Sequence, residues 1–69
     1  MDKIIKILNE IENSSWVYRK FMSSDEIKIC NKLVKDGFIY KAKPDEKNAT
    51  IAFFITVEGQ LWLENKNKN

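Results

Sequence analysis

The 69-residue chain has no histidine, one cysteine, one proline and two glycines. Without histidine it lacks the side chain that most often exchanges protons near neutral pH and most often binds metals through nitrogen. Cys30, the single cysteine, closes no internal disulfide and, with no imidazole to join it, completes no ordinary zinc site. No glycine-rich phosphate loop is present. Ser14, Ser15, Ser23 and Ser24 stand at helix boundaries, where capping accounts for them, and the carboxylates are dispersed or lie at helix starts. No enzyme activity, cofactor or metal is expected from such a set. Nor does any apolar run approach the roughly 18 residues of a membrane span, and Lys3 and Lys6 interrupt the first apolar stretch. Neither a signal peptide nor a membrane partner is expected. The missing disulfide staples suit a reducing interior, so a soluble, cytoplasmic protein is the expectation.

What is present favours a folded domain over a disordered chain. Hydrophobic residues make up 43% of the sequence, including two Trp, four Phe and two Tyr, each a large buried area where it packs. Size works against this. A chain so short buries only about 60% of the surface its unfolded form exposes. A single core of this kind supplies roughly 3–5 kcal/mol. Net charge is +2, so attraction to phosphate must come from where charges lie rather than from their sum.

Periodicity divides the chain into five segments. Ile4, Ile5, Leu8 and Ile11 form one stripe, which predicts an amphipathic helix from Asp2, a suitable cap, to about Asn13, with Asn13-Ser14-Ser15 as its break. Trp16-Val17-Tyr18-Arg19-Lys20-Phe21 suits either a short helix or a short strand, since six residues do not set a period. Ser23 and Glu26 form a capping box, opening a helix to Asp36 with Ile27, Cys30, Leu33 and Val34 inward and Gly37 as its stop. Cys30 is thereby read as a small core thiol. Phe38 to Lys43 and Ala49 to Thr56 read as strands of a hairpin, with Pro44-Asp45-Glu46-Lys47-Asn48 as the turn. Thr56 caps a last helix from Val57 to about Asn65, with Val57 and Leu61 on one face and Trp62 and Leu63 beside it. Residues 66–69 are expected to be a disordered tail and 1–65 a single domain.

Asp2–Ile11 as first helix, Ser23–Gly37-Phe38-Ile39 as helix and turn into a strand, and Ile55-Thr56-x-x-Gly59-x-x-Trp62-Leu63-Glu64 as strand and closing helix resemble the winged-helix superfamily. The chain is most like the small YjcQ-like and phage-encoded winged-helix proteins. The resemblance covers nearly the whole chain. It implies an α+β fold of three to four short helices with a two- to three-stranded antiparallel β-hairpin wing, in a small bacterial protein. It also implies DNA binding, in a transcriptional regulator or an accessory protein of a phage or mobile element. Only Ser14–Ser24 stands where the superfamily has a full helix and turn. A helix at Ser15–Phe21 completes the helix-turn-helix, whereas a strand leaves it incomplete.

In such a fold Lys28, Asn31, Lys32 and Lys35, at i, i+3, i+4 and i+7, would enter the major groove, Asn31 reading adenine and the lysines guanine or phosphate. The bland alternative is a solvated helix face, because residues 25–47 hold six lysines and five carboxylates. Lys41, Lys43 and Lys47 surround the wing turn, where they contact the DNA backbone or discourage sheet edges from pairing with neighbours. Arg19 and Lys20 are further phosphate-contact candidates beside Tyr18. The last helix packs on the first or forms the seam of a homodimer through the terminal helices. The rival to double-stranded DNA as partner is another protein, since the exposed-looking Tyr40, Phe54 and Trp62 suit an interaction module.

Overall fold

The computed structural model describes residues 3–44 and 50–68. It is an α+β fold with three helices and a three-stranded antiparallel sheet. Helix α1 spans Lys3–Ser14, strand β1 Val17–Tyr18, helix α2 Ser24–Lys35, strand β2 Ile39–Ala42, strand β3 Ala52–Ile55 and helix α3 Val57–Asn67. The sheet order is β1-β3-β2, so the last strand is central. Asp2, the expected cap of α1, residues 45–48 of the expected turn and Ala49, the expected start of the second strand, lie outside the described residues.

The segment that suited either helix or strand is divided between a strand and a 3₁₀ turn. Val17 and Tyr18 pair with Phe53 and Ala52 of β3. The Arg19 N–H then donates to the Ile51 carbonyl at 3.0 Å, and the Met22 N–H donates to the Arg19 carbonyl at 3.0 Å, closing the turn Arg19–Phe21. A free edge of β3 satisfies the backbone of these residues, which an isolated turn and a half of helix would leave partly unpaired. The expected range of three to four helices therefore resolves to three, with the sheet at three strands.

Helix α2 begins as its capping box requires. The Glu26 N–H donates to Ser23 Oγ at 3.2 Å and the Ser23 N–H to Glu26 Oε1 at 3.0 Å. It ends on Gly37 at φ +87°, where the Gly37 N–H donates to the Val34 carbonyl at 3.1 Å and the Phe38 N–H to that of Leu33 at 3.0 Å. These two bonds occupy carbonyls the helix leaves open, and glycine adopts the left-handed backbone without a Cβ penalty. Ser15 carries φ +71° at the end of α1 with no such exemption.

One face of the sheet carries the core. Phe53, Leu8, Ile11, Ile39, Leu63 and Cys30 are fully buried, with Ile7 and Leu33 beside them and Val17 and Ile55 packed against the cluster. In α1, Ile7 joins the expected stripe. In α2, Ile29 rather than Ile27 packs against the cluster. Ile27 is half-buried at the flank.

Helix α3 is rotated from the face expected of it. Gly59 and Leu63 point inward and Trp62 is half-buried against Phe38, ring centroids 5.6 Å apart. Val57 and Leu61 are exposed. The cause is the helix start. Thr56 Oγ lies 2.8 Å from the Gly37 carbonyl oxygen and 2.9 Å from that of Phe38, and accepts the Gly59 N–H at 3.0 Å. Gly59 is drawn so close that a Cβ there would overlap the Phe38 carbonyl oxygen and sit 2.9 Å from Cγ1 of Ile55. With residue 59 inward, 63 follows one turn later. The helix packs on α1 and runs past Asn65. Lys66 and Asn67, expected in the tail, form its last turn, with Lys66 Nζ 5.4 Å from the Trp62 ring centroid and Asn67 Nδ2 donating to Asn9 Oδ1 at 3.3 Å.

Cys30 is buried, its thiol 3.7 Å from the Met22 sulfur. Burial, with the Glu26 charge adding, pushes its pKa up to about 11 from 9.0. The folded protein therefore holds the thiol protonated where an unfolded chain ionises it.

Three outcomes follow from these contacts. Helix propensity alone favours alanine at position 59 by up to about 1 kcal/mol, but overlap with backbone makes Gly59→Ala cost about 1–3 kcal/mol. Urea denaturation reads the sign. Ser15→Gly should stabilise by about 0.5–1 kcal/mol, the left-handed cost to an L-residue less the entropy of glycine; a lowered melting temperature would contradict this. Cys30 should resist a thiol reagent at pH 8 until denaturant is added, and stability should be full below pH 9 and fall as pH rises through 9 towards about 11.

Candidate nucleic-acid interface

Lys28, Asn31, Lys32 and Lys35 are all exposed on α2, opposite the buried Cys30 and Leu33. The apolar side of the helix is held by the core, so its polar side is presented to solvent as one stripe along about two turns. Asp25 and Glu26 flank its start and Asp36 its end. Lys32 and Lys35 also occupy the last turn, where cations suit the helix dipole whether or not anything binds.

The remaining candidates fall in two places. Lys41 and Lys43 are exposed at the far end of β2. Lys41 is two residues from the buried Ile39 and shares its face, so it leaves the sheet on the side where α2 packs. Lys47 lies outside the described residues. Arg19 and Lys20 follow β1, with β3 between them and β2, so the sheet separates them from Lys41. Lys20 Nζ lies 5.6 Å from the Tyr18 ring centroid and 5.2 Å from that of Phe21, within the reach of a cation–π attraction. The nine sequence candidates are thus not one patch.

The other face of the sheet carries a constellation that linear reading did not assemble. Tyr40 pairs with Phe54 across β2 and β3, their rings stacked at 5.2 Å and 13°. Trp16, just before β1, lies 5.7 Å from Phe54 on its other side. Tyr18, Ala52 and Ala42 make the next cross-strand row, and Phe21 meets Tyr18 edge-on at 6.0 Å. Of the three aromatics expected to look outward, Tyr40 and Phe54 lie on this face, and Trp62 belongs elsewhere, on the helical side against Phe38. The usable signal was period-2 alternation in Trp16-Val17-Tyr18 and Phe53-Phe54; joining the rows needed the register.

A shallow cleft of about 280 Å³ lies between α1 and the start of α2, lined by Lys3, Lys6, Ile7, Ser23, Asp25 and Glu26. The Ser23 backbone N–H, then its hydroxyl, hold the Glu26 carboxyl below its ordinary range, with Lys6 and Lys3 adding. That is the chemistry of a satisfied helix cap. Among the described residues no group of three or more His, Cys, Asp or Glu is placed to hold a metal ion, and no helix is long and apolar enough to cross a membrane.

No known protein family, curated protein or solved structure matches the chain, so the functional reading rests on its own residues.

Proposed function

We propose that this chain is a winged-helix protein that binds double-stranded DNA, with α2 as the recognition element and the β2–β3 hairpin as the wing. One observation carries the reading: Lys28, Asn31, Lys32 and Lys35 are exposed together on α2, on the side of the sheet from which Lys41 also projects. Asn31 supplies the amide that pairs bidentately with adenine, and the lysines supply charge for guanine or phosphate. The order of helix, hairpin and closing helix supports it. The element before α2 is a strand and a 3₁₀ turn, so the sheet and α1, rather than a preceding helix, would set how α2 enters the groove. The biological setting that suits a domain this small is a transcriptional regulator or an accessory protein of a phage or mobile element. A homodimer through the terminal helices would double a limited set of cations, and the exposed pair Val57 and Leu61 on α3 suits such a seam.

A second reading is a protein-interaction module on the same fold, favoured by the exposure of Val57 (71%), Leu61 (56%) and Phe21 (73%).

Titration of random and AT-rich duplexes at low and high salt separates the two. About four phosphate contacts predict a log–log salt slope near −3.6, roughly a hundredfold loss between 50 and 200 mM salt. The double variant Lys28→Glu/Lys32→Glu should abolish duplex affinity while circular dichroism stays unchanged. Absence of binding to either duplex at low salt sinks the DNA reading and leaves the protein-interaction one.

A further inference from the structure

We propose that the outer face of the sheet is a stacking platform for the unpaired bases of a single-stranded nucleic acid, distinct from the α2 surface. The face is built from all three strands. Trp16, Phe54 and Tyr40 form one continuous row with centroid spacings of 5.7 and 5.2 Å, and Tyr18 with Phe21 edge-on extends it. Core burial does not account for this row. Ile39, Phe53, Val17 and Ile55 already supply the sheet's contribution to the core from the opposite face, and none of the row belongs to the core cluster. Tyr40 is 48% exposed and Trp16 39%, so their rings are held in place by neighbours while part of each remains open to a ligand.

Charge selects the occupant. Strand β1, the 3₁₀ turn after it and the central strand contain Arg19 and Lys20 and no carboxylate, and the only charged residue of β2, Lys41, projects from the opposite face. Lys20 stands at the rim, over Tyr18 and Phe21. Aromatic rings for bases beside cations for phosphates are the two parts a single-strand site needs, and stacking is tolerant of sequence because every base has a π-face. Duplex DNA does not fit this face, since paired bases present edges rather than faces. A second copy fits poorly too, because an isologous contact would bring two carboxylate-free surfaces together.

The test is titration of a labelled oligo-dT of about 12 nucleotides, within the site sizes of small single-strand binders, at low salt. The expected result is binding with quenched tryptophan fluorescence. Tyr40→Ala should weaken it about fivefold or more, as should Tyr40→Leu, which keeps apolar bulk without the ring, while Tyr40→Phe retains affinity. Lys28→Glu/Lys32→Glu should leave oligo-dT affinity within about threefold at moderate salt, so failure of the α2 reading and of this one are told apart. The proposal is overturned by no oligo-dT binding at low salt, or by unchanged affinity in a folded Tyr40→Leu protein. It is equally overturned if light scattering finds a dimer that Tyr40→Leu converts to monomer, since the row is then a self-association seam.

Discussion

The fold depends on the junction where Thr56 and Gly59 meet Gly37 and Phe38. There the stop of α2, the entry to β2, the end of β3 and the cap of α3 share a few atoms. The Thr56 N–H donates to the Phe38 carbonyl at 3.0 Å. Its hydroxyl has one proton to offer two carbonyl oxygens, at 2.8 and 2.9 Å, while accepting the Gly59 N–H. Gly37, Phe38 and Thr56 are half-buried and Gly59 is buried, and an unpaired backbone carbonyl or N–H in such a place costs on the order of 1–3 kcal/mol. In a domain whose core supplies only roughly 3–5 kcal/mol, that is a large fraction. The absent side chain of Gly59 is as necessary as the hydroxyl, because it lets α3 approach the Phe38 backbone.

From this junction follows the division of the molecule into two sides. It aims α3 so that Leu63 enters the core and Trp62 covers Phe38. With α1 and α2, the helix then covers one face of the sheet and leaves the other open. On the covered side the stripe of α2 is what the core did not use. On the open side the aromatic row is what the three helices of the described residues leave uncovered. Both candidate surfaces are thus consequences of the same packing, and the aromatic row joins residues remote in the chain.

Much of the fold was legible because it is written in local chemistry. The Ser23–Glu26 box, the Gly37 stop and the Thr56 cap each satisfy backbone groups within a few residues, and each stands where the sequence placed it. The stripe of α1 was legible for the same reason, apart from Ile7. Segment 16–21 was not, since its backbone is satisfied by Ile51 and β3, more than thirty residues away. The face of α3 was also misread. Val57 and Leu61 have the right spacing for a buried pair, yet the residue that faces the core at that level is a glycine, which hydrophobicity does not flag.

For the candidate surfaces the balance differs. Lys28, Asn31, Lys32 and Lys35 share a face by helical spacing alone, which the sequence by itself determined once α2 was bounded by its caps. The strand alternation that sets Phe53 against Phe54 was likewise local. Only tertiary structure decided that Trp16, Phe54 and Tyr40 adjoin, that Arg19 and Lys20 lie across the sheet from Lys41, and that α3 turns Val57 outward. The physical reason is that period and capping act within one element, whereas strand register and helix rotation are set by contacts between elements, here by one threonine and one glycine.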